Sequence, residues 1–394
     1  MNEFVDRLDT HQKQAVDDIA EAVRQGARLQ ALQGGAGTGK TTVLKALVNQ
    51  LDGCVLAAPT NRAAMIISSK TDRDAHSVHS ACMTPIYAPE YHALQNWYMT
   101  TFEDIPQCVT DRWPDVDFDL YDGLEDALRN MGISPMDLVL RWDAKPEEQG
   151  TLIIDEASML GGEQLELAAK VFSQIVLVGD PNQLPPVKDA QQLTKVDPRY
   201  VHRLETVYRQ KQDSPVLDVA YTALATGEIT ADVREIGLDE IEDGTPIIVW
   251  RNSTRDAVTA QIRELRGFCK YVRVGEPLIC TNATPKAKAA GFVRNSLWRI
   301  VEIEGSFAVM TDGERLVKLK PAFEHLAGSG DAYFRFGYCL TAHTAQGGEW
   351  PKVAIHAGDA RAIANAKYAS PKQWAYTAVT RASDEVFLME GVHV

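Results

Sequence analysis

The stretch Gly34-Gly-Ala-Gly-Thr-Gly39-Lys40-Thr41-Thr42 limits what this chain can fold into more than any other. Gly34, Gly39, Lys40 and Thr41 fill the pattern G-x-x-x-x-G-K-[ST]. In that pattern the glycines let the backbone curl until successive N–H groups face an anion. Gly35, Gly37, Thr38, Gly39, Lys40, Thr41 and Thr42 are therefore the candidate phosphate-binding residues. Lys40 can reach the β- and γ-phosphates of a nucleotide, and the Thr41 hydroxyl can ligate Mg2+. The flanks fit this reading: Leu29–Gln33 is a short strand candidate, and residues 42–51 carry apolar side chains at helical spacing. A helix N-terminus then points at the phosphates, which a plain glycine turn would not supply.

Around this loop the chain alternates strands and helices. Cys54–Ala58 is a buried-strand run, followed by Pro59-Thr60-Asn61-Arg62 and a helix with Ala63, Ala64, Ile66 and Ile67 on its apolar positions. Strand, helix, strand, helix is the pattern of a parallel sheet, and ligands gather at the carboxyl ends of its strands. Thr60, Asn61, Arg62 and His79 stand at such positions. Residues 151–159 return to the sheet and end in Asp155-Glu156, one carboxylate to hold a metal ion and its neighbour to orient or deprotonate water. Ile175–Val178 runs into the proline-stiffened loop Gly179-Asp-Pro-Asn-Gln183-Leu-Pro-Pro186, where Gln183 is a candidate γ-phosphate sensor. Upstream, Gln12 sits near the start of a helix opened by Asp9 or Thr10, and its amide can pair donor and acceptor with an adenine edge.

A second α/β region begins after residue 204. Residues 246–250 and 274–280 read as strands with a helix over 253–266 between them, and short alternating segments over 295–319 suggest a small barrel-like insertion. Residues 338–350 resume the main sheet, 375–382 form a late helix and 385–390 a closing strand. Two lobes make sense of Arg209 and Arg381: cations brought from a second lobe to the γ-phosphate make closure depend on the nucleotide.

Charge decides the remaining organisation. The net charge is −14, yet residues 81–150 hold 14 acidic and 4 basic residues, while residues 251–299 hold 10 basic and 3 acidic. Local potential, not the total, steers a polyanion, so a nucleic-acid partner is compatible with the acidic sum. The acidic stretch, with Trp97, Trp113 and Trp142, reads as a partly helical insert with no catalytic motif. The six cysteines include no C-x-x-C pair, which argues for a reducing compartment and against a zinc site. With no export segment or membrane-length apolar run in view, the expectation is a soluble cytoplasmic protein, acting as a monomer in a bacterial or phage-infected cell.

Taken in order, these segments resemble the motifs of the superfamily 1 helicases, in the RecD-like and phage Dda-type branch, superfamily 1B. The matching series is residues 8–16, 34–42, 58–62, the neighbourhood of His79, Asp155-Glu-Ala-Ser158, 179–186, Tyr208-Arg209-Gln210, 341–349 and 376–382. The resemblance implies an α/β chain with two RecA-like parallel-sheet lobes, an acidic 1B-type insert and an SH3-like β insert. Its implied boundaries are residues 1–80 and 151–190 for the first lobe, 81–150 for the acidic insert, 191–280 and 336–394 for the second lobe, and 281–335 for the SH3-like piece.

By the same resemblance Gln12 would read adenine, Lys40 and Thr41 would hold phosphates and Mg2+, Asp155 would anchor the metal ion, and Glu156 would activate water. Gln183, Arg209 and Arg381 would meet the γ-phosphate, and Glu349 the ribose. Thr60, Asn61, His79, Thr341 and His343 would grip single-stranded DNA. The implied activity is ATP-dependent movement along single-stranded DNA, 5′ to 3′, with unwinding of tailed or forked duplexes. Two departures stand out: His343-Thr-Ala-Gln-Gly347 lacks the lysine usual in that motif, and the acidic insert occupies the place of the strand-splitting pin. They leave open a subunit of a nuclease complex with secondary ATP turnover; an RNA-acting or protein-displacing translocase stays open because it uses the same chemistry and no motif decisively contacts a 2′-hydroxyl, and the acidic insert stays open as the dock of a protein partner.

Overall fold

The computed structural model describes residues 8–100, 104–121, 123–133, 138–146, 148–187, 189–207, 215–229, 233–268, 271–284, 287–288, 290–324, 330–364, 366 and 370–390. The candidate Arg209, with Tyr208 and Gln210, lies outside the described residues.

The first lobe opens with α1 (Thr10–Arg24). Asp9 caps it through a reciprocal box with Gln12, and Ala15, Val16, Ile19, Ala20 and Val23 form its buried stripe. Gly26, at φ +84°, then turns the chain back. There follow β1 (Leu29–Gly34), α2 (Lys40–Gln50), β2 (Val55–Ala58), α3 (Asn61–Thr71), β3 (Ala75–Ser77) and the short α4 (Val78–Cys82).

The acidic stretch is built on a two-stranded antiparallel ribbon, β4 (Met83–Tyr87) with β5 (Val139–Ala144). Between these strands lie α5 (Pro89–Thr100), α6 (Gln107–Arg112) and α7 (Leu124–Asn130). Leu94, Val109, Phe118 and Ala127 give this insert a small core of its own.

The chain returns through β6 (Glu148–Ile154), α8 (Gly162–Val171), β7 (Phe172–Gly179) and β8 (Val201–Leu204). The six strands lie parallel in the order β3-β2-β6-β7-β1-β8. Their central members, covered by helices on both faces, are almost continuously apolar, as in Ile153, Ile154, Val176, Leu177 and Val178. One boundary needs correcting: β8 pairs with β1, so the first sheet extends to Leu204 and not to residue 190. Edge pairing with β1 captures a strand that local sequence leaves ambiguous.

The second lobe contains α9 (Pro215–Thr226), β9 (Glu235–Ile236), β10 (Ile247–Val249) and α10 (Asn252–Leu265). A separate sheet then interrupts it: β11 (Pro277–Ala283), β12 (Leu297–Glu304), β13 (Phe307–Thr311), β14 (Leu316–Leu319), β15 (Pro321–Phe323) and β16 (Ala332–Phe336). Its order is β14-β13-β12-β11-β16-β15. Phe292 stacks on Trp298 at 3.8 Å between ring centres to form its core. The boundary at residue 280 is a second correction: residues 274–280 read as a strand of the lobe, although the resemblance also makes Gly275–Cys280 the start of the SH3-like piece, and the strand Pro277–Ala283 pairs antiparallel with β12 and β16 of the small sheet.

The lobe resumes with β17 (Cys339–Thr341), α11 (Ala342–Ala345), β18 (Trp350–His356), α12 (Ala357–Ala364), α13 (Pro371–Val379) and β19 (Ala382–Met389), ordered β17-β10-β18-β19-β9. Arg263 of α10 and Glu276, bonded at 2.7 Å and both largely buried, tie the small sheet to this lobe. Tyr338 donates to the same carboxylate at 3.1 Å. Among the described residues, no helix is long and apolar enough to cross a membrane.

Candidate nucleotide site in the interlobe cleft

The glycine loop folds as its residue types require. Gly37 and Gly39 take φ of +78° and +80°, the left-handed region closed to most side chains, and this curls the loop into the N-terminus of α2. Lys40 Nζ donates to the Gly34 and Gly35 carbonyls at 2.9 and 2.8 Å, so the ammonium is parked over the loop. Thr38 Oγ1 donates to Gly35 O at 2.9 Å. Gln12 Nε2 donates to Thr38 O at 3.3 Å, which docks α1 on the loop. Gln12 also borders a small recess with His11, Arg203, Leu204, Glu205 and Thr206. Its amide oxygen serves the helix cap, so an adenine contact would have to share or replace these bonds.

Sheet order sets the rest. Because β7 pairs with β1, with Gln33 opposite Gly179, Asp180 emerges beside the phosphate loop. Asp155 follows β6, one strand further along. It lines a recess with Thr41, Glu156, Lys70 and Gly347. Burial, and next the Glu156 carboxylate, push the Asp155 pKa up to about 7. Glu156 has φ +52°, a left-handed strain that Asp155 helps hold by accepting the Glu156 N–H at 2.8 Å. A buried carboxylate, a second one beside it and a threonine hydroxyl in one recess are a hard-oxygen donor set that fits Mg2+. The Oε1 atoms of Gln183 and Gln346 are buried at the cleft without a hydrogen-bond partner, as expected of groups reserved for a ligand or its water.

Side chains bond the two lobes across this cleft at several points, including Gln373 Nε2, which donates to Pro181 O at 3.4 Å. The Tyr376 hydroxyl accepts the Ala36 N–H at 2.8 Å and donates to Asp180 Oδ2 at 2.7 Å. Burial raises the pKa of both groups, so the phenol keeps its proton for that bond. Thr377 Oγ1 accepts the Leu184 N–H at 2.9 Å, and Gln346 Nε2 donates to Leu184 O at 3.1 Å. Arg62 Nη1 donates to Thr344 O at 2.8 Å.

Arg381 is 6% exposed and held within its own lobe by three of its five N–H donors, which reach Thr377 O, Gly348 O and Thr380 Oγ1. It borders the cleft through Gly348, and its guanidinium lies close enough to Arg62 to depress that residue's pKa. Glu349 is exposed beside the same turn.

The nucleic-acid candidates form a different group. Thr60 and Thr341 are helix caps, accepting the Ala63 and Thr344 N–H groups. Asn61 and His79 are exposed at the ends of β2 and β3. His343 is half-buried, and burial holds its pKa below the ordinary value. Sequence reasoning gave no role to Asp180, to the Tyr376 hydroxyl or to Lys70. The first two lay inside stretches already singled out, but nothing local marks Lys70.

Residues 7–240 match the AAA domain family, and residues 336–389 match the UvrD-like helicase C-terminal domain. The ATP-dependent RecD2 DNA helicase of Deinococcus radiodurans is 27% identical, over 96% of this chain and 48% of that protein. The ATP-dependent DNA helicase dda of Enterobacteria phage T4 is 22% identical, over 55% of this chain and 42% of its own length. The chain thus spans about half the length of these curated relatives.

Among solved structures, the Pif1 helicase from Bacteroides in complex with ADP-AlF3 and ssDNA superposes with a TM-score of 0.54 at 16% identity, covering 96% of this chain and 92% of that one. The Pif1 helicase from Candida albicans gives 0.55 at 16% identity, covering 98% and 95%. At such identities the likeness concerns the fold, two RecA-like lobes. The domain match over more than half the chain, the helicase C-terminal match beyond it and the described motifs around one cleft agree: the chain belongs to the AAA domain family and carries the motif series of the superfamily 1B helicases.

Proposed function

We propose that this chain hydrolyses ATP in the interlobe cleft and uses the resulting opening and closing to move along single-stranded DNA, unwinding tailed or forked duplexes in the 5′ to 3′ direction. The observation that carries the reading is the set of side chains joining the phosphate loop to the second lobe, above all Tyr376 bonded to both Ala36 and Asp180. A cleft whose two walls bond to each other through the phosphate loop changes shape when a nucleotide enters. That is the coupling a motor needs.

In this reading Lys40 leaves the Gly34 and Gly35 carbonyls for the β- and γ-phosphates of ATP, and the loop amides complete the cradle. Mg2+, held by Thr41 and Asp155, would neutralise charge on the phosphates. Glu156 orients the attacking water and takes its proton, Gln183 senses the terminal phosphate, and Arg381 meets the charge that spreads over it. Arg209 is assigned the same task from its motif alone. Gln12 is assigned to adenine and Glu349 to ribose. Thr60, Asn61, His79, Thr341 and His343 form the DNA track, since α3 and α11 with their caps carry all of these but His79, which is on α4, together with the cleft contacts Arg62 and Thr344. A protein partner on the acidic ribbon and helices belongs to the same proposal.

The test is hydrolysis with and without single-stranded DNA, joined to unwinding of matched 5′-tailed and 3′-tailed duplexes of DNA and RNA. DNA-stimulated hydrolysis with opening of the 5′-tailed DNA duplex is expected. A rate indifferent to nucleic acid overturns the motor reading. A preference for 3′ tails overturns the polarity, and a preference for RNA overturns the substrate.

A further inference from the structure

Arg62 stands at the start of α3, 8% exposed, with only one hydrogen bond among the described residues, from Nη1 to Thr344 O. Its charge has no carboxylate partner there, while its guanidinium lies over the Trp350 ring at 5.5 Å. The neighbouring charge is Arg381, also buried and also without a carboxylate. Desolvation, and secondarily Arg381, lower the Arg62 pKa to about 10. Two buried guanidiniums close enough to interact, with no carboxylate partner for either among the described residues, are costly, because each loses hydration and repels the other. An anion bound beside the pair would offset both penalties.

The two cations meet at Gly348. Arg381 Nη1 donates to the Gly348 carbonyl at 3.0 Å. A Cβ on Gly348 would stand 2.6 Å from Arg62 Nη2 and 2.5 Å from the Trp350 ring, so any larger residue there would have to displace one of them. The preceding residue, Gly347, lines the recess that holds Thr41, Asp155 and Glu156. The pair thus borders the place where the end of a triphosphate chain would lie. It is buried, whereas Asn61 and His79 of the candidate DNA track are exposed.

We propose that Arg62 is a phosphate-binding residue from the first lobe that joins Arg381 on the terminal phosphoryl group of ATP, leaving the Thr344 carbonyl as it does so. The inference rests on the ATPase reading above. The exchange has a mechanical result: Thr344 lies in α11, whose cap is Thr341, so releasing its carbonyl frees the turn that carries the DNA-side residues. Gaining a γ-phosphate and loosening the strand grip become one event.

The test compares fluorescent ATPγS and ADP binding by wild type, Arg62→Gln and Arg62→Lys, with single-stranded DNA affinity measured alongside. Arg62→Gln should lower the preference for ATPγS over ADP roughly 10- to 100-fold, the loss expected for hydrogen bonds to a charged group. Lysine should restore part of that preference, because it keeps the charge but not the planar fork. An unchanged ATPγS-to-ADP ratio in both variants overturns the proposal. So does weaker DNA binding without a change in that ratio, which would assign Arg62 to a DNA phosphate. If Arg62→Gln does not fold, an unaltered ratio in Arg62→Lys alone overturns it. Wild-type hydrolysis separates the two levels: if wild type turns over ATP and the variants keep its ratio, only this inference fails, whereas an inert wild type removes the ATPase reading beneath it.

Discussion

Tyr376 and Asp180, 196 residues apart in the chain, share a hydrogen bond of 2.7 Å from the phenol to the carboxylate. Both are completely buried, and the same hydroxyl receives the Ala36 N–H of the phosphate loop. One oxygen atom therefore links the nucleotide cradle, the strand end beside it and the opposite lobe.

Tyr376→Phe removes that oxygen while keeping the ring. The loss of two buried bonds should lower stability by about 1–3 kcal/mol, read by denaturant unfolding. Because the phosphate loop and the second lobe lose their shared atom, DNA-stimulated kcat should also fall, by about tenfold, which corresponds to about 1.4 kcal/mol of barrier. A variant with normal kcat would restrict Tyr376 to a structural role.

Glu156→Gln should bind nucleotide normally but lose roughly 10²- to 10⁴-fold in hydrolysis, the range for a missing general base. Retained turnover would move the base to another residue. Asp155, at the end of the same strand, should tolerate no such simple swap, since it is assigned to the metal ion.

The raised Asp155 pKa gives a stability slope of definite sign. The folded protein holds this proton up to about pH 7, whereas the unfolded chain releases it near the ordinary carboxylate value of about 4. Between those values the folded state binds more protons, so this group removes stability as pH rises. Asp155→Asn should flatten that part of the profile, and Mg2+ should rescue wild type but not the variant at higher pH. Thermal melts across the window, with and without Mg2+, check both statements. Parallel pH profiles for the two proteins would contradict the assignment.

Asp359 tests the scaffold of the second lobe. Fully buried, it accepts from the Trp250 and Arg251 N–H groups at 2.7 and 3.1 Å, from Thr254 Oγ1 at 2.9 Å and from the Arg251 guanidinium at 2.9 and 3.1 Å. It thereby anchors the start of α10. Asp359→Ala leaves these donors unanswered and should cost about 3–5 kcal/mol in urea unfolding. A loss under about 1 kcal/mol would mean that water replaces the carboxylate.

Ala88 N and Leu138 O are 2.8 Å apart, so the acidic helices leave and rejoin the ribbon at one point. Replacing residues 89–137 with a short glycine-serine turn should leave the first lobe folded and DNA-stimulated hydrolysis intact. Binding of a partner or unwinding is the function expected to be lost. If hydrolysis disappears with the helices, they form part of the DNA track itself.

Much of this protein was legible locally. The glycine loop, the Asp155-Glu156 pair at a strand end and the capped start of α1 follow from turn chemistry, period and capping, which act over a few residues. The boundaries were less legible. The strand at 201–204 has no local mark of its lobe, and residues 277–283 begin with the apolar run of a parallel strand while pairing antiparallel with both neighbours. A strand's partner is chosen by which edge is open and which face is covered, and neither is encoded in the strand.

By itself, then, the sequence determined the elements and the chemistry each could offer: a phosphate cradle, a carboxylate pair and an ordered set of motifs. Tertiary structure alone decided which atoms meet. Arg62 reaches Thr344 across 282 residues, and the Ala36 N–H reaches Tyr376 across 340. Those contacts exist because two sheets, each closed by its own core, present their strand ends to one cleft. Hydrogen bonds and charge act at distances of a few ångströms, and proximity on that scale is set by packing between lobes, not by neighbours along the chain.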